Sequence, residues 1–295
     1  MQTTLLKKFR FALLVLLLVL APLSAYAQRD PPISRISLES RLLGKAIDYS
    51  ILYPVNYQRA GNQEKKFPVV YFLHGLTGHH TNWIERTRLA LYATHYDLFI
   101  VMVEGENGWY TDSATVPTDK FESYILQELM PDVEKRFRVS TERDGRAIAG
   151  LSMGGYGALK FAFKFPSHFA LAASMSGALG AASWTDSELE GREFIRQSLL
   201  KTFGPAGSTA RAENDLLKLT REVSAAGIKS LPVIYFDCGT EDRLFTVNRS
   251  YADLLLARKI PHEFRQLPGS HNWEYWDQQI QAILNLAART LSSPK

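Results

Sequence analysis

Four stretches of the chain, 69–73, 98–103, 147–151 and 233–236, are apolar without interruption. A strand with one wet face alternates apolar and polar residues, whereas a strand covered on both faces has no need to. Short continuous runs therefore point to a parallel sheet enclosed between helices. Helix-like patterns fill the intervals, near 83–95, 120–137, 154–165, 211–226, 245–258 and 273–290. Strand and helix in alternation make βαβ units and place the chain in the α/β class. Segments 33–39 and 47–53 alternate instead and suit an antiparallel start to the same sheet. The polar stretch 58–66, with Gly61 and Asn62, reads as a turn. Residues 178–230 are too many for one crossover helix. They are expected to form a helical insertion over one sheet edge, or a lid, with a loop at 203–210 between two helical patterns.

The beginning of the chain follows other rules. Lys7, Lys8 and Arg10 precede an apolar run over 11–20, extended by Ala21, Pro22 and Leu23, and Ala25-Tyr26-Ala27 places small residues two apart. This is the pattern of a cleaved signal peptide, predicted here as 1–27, followed by a single domain over 28–295. The expectation is export, to the periplasm or the external medium. The run falls short of the roughly 20 apolar residues of a membrane span, so no stable membrane anchor is expected after cleavage. Whole-chain basicity, 34 Lys and Arg against 30 Asp and Glu, comes largely from the three cations of this segment. The remainder is close to neutral, with nothing to draw it to nucleic acid or an anionic membrane. A single cysteine, Cys238, excludes an internal disulfide and a cysteine-built zinc site.

Gly150-Leu151-Ser152-Met153-Gly154 reads G-x-S-x-G, after an apolar strand and before a helix that Pro166 ends. On such a strand-to-helix turn a serine hydroxyl is pushed out at the sheet edge. A Cβ at 150 or 154 would crowd the turn, and the helix N-terminus beside the serine favours negative charge. A serine nucleophile needs a histidine base oriented by a carboxylate, and in this setting the chain order is Ser, acid, His. Of seven histidines, His168, His262 and His271 follow Ser152. His168 and His262 begin strands. His271 lies in a loop after a predicted strand, where open α/β sheets carry their ligands, and is the expected base. The loop after 233–236 offers Asp237, Glu241 and Asp242. Asp242 is favoured, being farthest into the loop, and it could also cap the following helix.

An ester or amide carbonyl under attack becomes an oxyanion and needs backbone N–H donors. Met153, next to the nucleophile, is one. The loop His74-Gly75-Leu76-Thr77-Gly78 supplies the other, expected at Leu76. His74 is expected to be a structural hydrogen-bonding residue. Adjacent His79 and His80 rarely face one ion and have no carboxylate cluster beside them, so no metal is expected. Glu104 and Glu106 have no supporting features of a glycosidase pair. Trp83, Trp184, Trp273 and Trp276 are expected to pack, and Cys238 to be a small buried residue.

Five motifs now stand together: His74–Gly78 with Trp83 beyond, Asn107-Gly108-Trp109-Tyr110-Thr111-Asp112, Gly150–Leu159, Cys238-Gly239-Thr240-Glu241-Asp242 and Gly269-Ser270-His271-Asn272-Trp273. In combination, over roughly 35–290, they resemble the esterase D family of α/β hydrolases. That family takes in S-formylglutathione hydrolases, tributyrin, feruloyl and acetyl-xylan esterases, and the related mycolyltransferases. The resemblance implies an α/β-hydrolase fold, Ser152, Asp242 and His271 as the triad, Leu76 and Met153 as oxyanion donors, and no cofactor. It also implies that Trp109 lies near the acyl pocket, and its loop follows a predicted parallel strand. Gly154-Gly155-Tyr156-Gly157 matches the tributyrin-esterase-like members; the glutathione enzymes usually carry His before the last glycine. The expectation is an exported carboxylesterase acting on a small-molecule or carbohydrate-linked ester of short acyl or aryl type, through an acyl-enzyme. The alternatives are an acyltransferase of the mycolyltransferase type, an S-formylglutathione hydrolase-like thioesterase, and a non-catalytic protein on this fold.

Overall fold

The computed structural model describes residues 32–292, and the signal peptide expected at 1–27 lies outside them. Eight strands form one sheet: β1 (Ile33–Ser40), β2 (Lys45–Leu52), β3 (Val69–Leu73), β4 (Phe99–Val103), β5 (Arg146–Leu151), β6 (Leu171–Met175), β7 (Val233–Gly239) and β8 (Glu263–Leu267). Their order across the sheet is β1-β2-β4-β3-β5-β6-β7-β8. β1 pairs antiparallel with β2, and β2 with β4; every later pairing is parallel.

Burial explains the two sequence patterns. All five residues of β3, β4 and β6 are buried. Val69, Tyr71 and Leu73 point to one face, with Tyr156 and Leu159 of the helix Met153–Lys164 in the same core. Val70 and Phe72 point to the other, with Ile280, Ile283 and Leu284 of the helix Trp273–Thr290. That last helix repeats apolar residues at 276, 280, 283, 284 and 287, one stripe of a 3.6-residue period. β1 is an edge strand exposed on one side, hence its alternation.

Two helical expectations need correction. The pattern over 211–226 is not one helix but three short ones, Thr209–Asn214, Leu216–Glu222 and Ala225–Ser230. Each starts at a residue whose side chain accepts from the next turn: Ser208 from Arg211 N–H, Asp215 from Leu217 and Lys218 N–H, Ser224 from Gly227 N–H. These caps interrupt a continuous apolar periodicity. The 83–95 pattern is likewise two short helices, Asn82–Glu85 and Leu89–Ala93. The insertion itself lies between β6 and β7, and its first long helix is Glu193–Phe203.

Candidate active site

The parallel strands bring the carboxyl ends of β3, β5, β7 and β8 to one edge of the sheet, and every expected site residue except Trp109 follows one of those ends. β5 is central, between β3 and β6. At its end Ser152 adopts φ 52°, ψ −113°, a conformation that costs a non-glycine residue energy. Its carbonyl accepts from Tyr156 and Ala178 N–H, and its N–H donates to the Met175 carbonyl, each at 3.0 Å. The turn is thus tied to both the helix and β6. Gly154 is required by close approach: a Cβ there would sit 2.2 Å from the Leu73 carbonyl oxygen. Gly154→Ala is accordingly expected to force β3 and the helix apart, at a cost of about 3 kcal/mol. Thermal melting would register this as a fall of several degrees; an unchanged melting temperature would contradict the packing.

The loops after β7 and β8 complete a relay. His271 Nε2 is 3.0 Å from Ser152 Oγ, and its Nδ1 is 2.8 Å from Asp242 Oδ2. The Asp242 carboxylate is buried, and its second oxygen accepts the Leu244 N–H at 2.8 Å. Burial opposes its ionised form, but the bond and charge of His271 and the Leu244 N–H outweigh that and hold Asp242 below the ordinary carboxylate value. The side chain does not cap the next helix, whose cap residue is Leu244. Asp237 behaves oppositely. Fully buried on β7, its carboxyl is pushed up to about 7 by desolvation, despite accepting the Tyr275 hydroxyl at 2.9 Å. Glu241 is exposed and accepts from Thr240 Oγ1 and Gly269 N–H. Environment therefore separates the three acids: one is held ionised and aimed at the imidazole, one is buried with its carboxyl pushed up towards neutrality, and one braces a turn. His168 and His262 stay away; His262 Nδ1 donates to the Ile260 carbonyl.

The loop after β3 is oriented by buried charge. His74 Nδ1 donates to the Gly75 carbonyl at 2.8 Å, and Gly78 N–H reaches the same oxygen at 3.0 Å. A trans peptide points its N–H opposite to its carbonyl, so holding Gly75 C=O aims Leu76 N–H the other way. His74 Nε2 lies 3.0 Å from the buried Glu104 carboxylate. Burial works against the Glu104 anion, yet the bond and charge of His74 and the N–H groups of Glu106 and His80 bring it down to about 2. Met153 is the first helical residue, a position whose N–H has no carbonyl within the helix. His80 is bound through Nδ1 to Ser50 Oγ at 2.8 Å, and Glu106 pairs with Lys45.

Ser152 and His271 open into a cavity of about 690 Å³ bounded by Gly75, Leu76, Phe194, Ile195, Trp273 and Trp276, among others. The Esterase family model matches residues 40–287. The chain belongs to the esterase family. Esterase Rv1288 of Mycobacterium tuberculosis is 28% identical over 260 residues, which cover 83% of this chain and 56% of that protein. The chain thus spans little more than half of that relative. The acetyl esterase of Caldicellulosiruptor saccharolyticus is 26% identical over 84% of this chain and 95% of its own length. Among solved structures, fluorophosphonate-binding serine hydrolase F of Staphylococcus aureus superposes with a TM-score of 0.77 at 26% identity, over 88% of this chain and 99% of that one. The fold of this esterase-family chain is that of the α/β hydrolases.

One expected site residue is not where the sequence reading put it. Trp109 is 2% exposed and does not border the cavity. Its indole N–H donates to Ser198 Oγ at 3.0 Å, and its ring packs on Tyr156, Trp184 and Phe203. It joins the insertion to the core rather than facing a substrate. The cause is a backbone turn with positive φ at Trp109 and Tyr110, held by the buried Lys160 ammonium 2.7 Å from the Tyr110 carbonyl. Conversely, Trp273 and Trp276, expected only to pack, border the cavity, and so do Phe194 and Ile195 of the insertion. Trp273 carried a signal, two residues beyond His271 at the start of a helix. Phe194 carried none.

Proposed function

We infer that this esterase-family chain is a serine carboxylesterase. The observation that carries the reading is the unbroken Ser152–His271–Asp242 relay opening into a cavity with both apolar and polar walls. In this mechanism Ser152 Oγ attacks the ester carbonyl and passes its proton to His271 Nε2. Asp242 keeps the imidazole proton on Nδ1 and stabilises the imidazolium. Leu76 and Met153 N–H groups hold the oxyanion. His271 then protonates the leaving alcohol, and water, activated by the same imidazole, releases the acid from Ser152. No step needs a cofactor.

The cavity has room for acyl or aryl esters, and the acetyl esterase relative supports short acyl groups. The test is initial rates on nitrophenyl acetate, butyrate and octanoate and on methyl ferulate, with fluorophosphonate labelling of the same protein. Turnover that falls with labelling is expected. Folded protein that neither turns over an ester nor takes the label would overturn the reading in favour of a non-catalytic role. Ester products of added alcohols exceeding the free acid would instead indicate an acyltransferase. We also propose that the chain acts outside the cytoplasm, on the pattern of residues 1–27; a cytosolic full-length product on fractionation would refute it.

The loop geometry adds a measurable consequence. His74→Phe keeps a buried ring but removes one of the two donors on the Gly75 carbonyl, leaving only Gly78 N–H, so Leu76 N–H is aimed less firmly. We expect kcat to fall by at least about tenfold, and by no more than the roughly 10²–10³ of a lost oxyanion donor. KM should change less. Glu104, left buried without its partner, lowers stability as well, so rates belong well below the melting temperature. An unchanged kcat would show that His74 does not orient the loop.

A further inference from the structure

The cavity over Ser152 has a charge asymmetry that ester hydrolysis alone does not require. Arg86 and Arg243 both border it, and among the described residues no aspartate or glutamate does. They arrive from separate elements. Arg86 ends the short helix after the β3 loop, and Arg243 directly follows Asp242 after β7. β3 and β7 lie on opposite sides of β5, so the serine stands between them in the sheet order.

Among the described residues, neither guanidinium donates a hydrogen bond or sits in an ion pair. The contrast with Arg88 is informative: two residues from Arg86, it takes the Asp277 carboxylate at 2.9 Å. Glu85 and Glu274 border a shallow surface hollow with Arg86 but form no ion pair with it. Arg86 instead lies over the Trp273 ring, 5.9 Å from its centroid, and Trp273 is itself a cavity wall. An arginine left without an acid beside an apolar wall is a ready site for a carboxylate or phosphate, which its planar fork can bind with two hydrogen bonds.

Resting on the esterase reading above, we propose that the preferred substrate is an ester carrying an anionic group, a carboxylate or phosphate, close to the scissile carbonyl, and that Arg86 and Arg243 select it. The group can belong to the acyl half or to the alcohol half, and two substrate pairs separate these. Nitrophenyl hemisuccinate against nitrophenyl pentanoate places the charge on the acyl side. Acetoxybenzoate against acetoxybenzamide places it on the leaving group. Each rate is normalised to hydroxide-catalysed hydrolysis of the same ester.

In one pair kcat/KM for the anionic member should exceed the neutral one by about tenfold at low salt, as expected for a charge-assisted hydrogen bond. The preference should shrink towards unity near about 0.5 M salt, because exposed charges are screened. Arg86→Gln and Arg243→Gln, both on exposed side chains, should each be tested for the preference ratio. A drop of about threefold or more in one variant identifies the arginine involved. Equal normalised rates in both pairs, or a preference that survives the double substitution, would overturn this inference alone. Absence of turnover on all four esters, with no fluorophosphonate labelling, would overturn the esterase reading and this inference with it.

Discussion

Ser152→Ala is expected to lower kcat for nitrophenyl butyrate by about 10⁴–10⁶ with the fold intact, because the nucleophile and the relay act as one unit. Ser152→Gly should match that loss and also raise stability. The native φ of 52° with ψ −113° is a region that a side chain resists. Such strain is worth about 1–3 kcal/mol, against which glycine's extra freedom in the unfolded chain counts for less. A net gain of about 1 kcal/mol would raise the melting temperature by roughly 2–4 °C in a domain of this size. The two readouts test separate statements. Retained turnover in either variant would remove Ser152 from its role. A glycine variant that melts lower would show that the serine side chain contributes packing that outweighs the strain.

Strain of this kind explains why so much of the site is legible in the sequence. A serine held in a costly turn needs glycines where backbones meet, and Gly150 and Gly154 are written into the chain for that reason. Strand ends are legible too, since β3 and β4 are buried on both faces and read as solid apolar runs. Asp242 and His271 follow from being on loops after such strands. What the sequence leaves open depends on distant partners. Trp109 sits in a loop of the right kind, yet Lys160, from inside the helix that follows Ser152, turns that loop inward. Phe194 reaches the cavity only because the insertion folds back over the sheet edge. Asp215 and Ser224 could have been read as helix starts, but the apolar period running across them gave the stronger signal.

Asp242→Asn is expected to cost about 10⁴ in kcat while leaving the triad geometry in place. The reason lies in the second oxygen. Oδ1 accepts the Leu244 N–H, so an asparagine here must keep its carbonyl on that side. Its NH₂ group then faces His271 Nδ1, which can only accept. The imidazole proton moves to Nε2 and points at Ser152 Oγ, so the base can no longer take the serine proton. Flipping the amide would restore the tautomer but set its NH₂ against the buried Leu244 N–H, an unsatisfied donor pair that costs about 1–3 kcal/mol. The pH profile adds a check on the wild type. Asp242 is held below its ordinary value, so its ionised form persists as pH falls through the range where an imidazole titrates. The acid limb of kcat/KM should therefore show no inflection from Asp242 itself. An Asp242→Asn enzyme with more than about a tenth of wild-type kcat would mean that the imidazole is oriented by something other than Asp242.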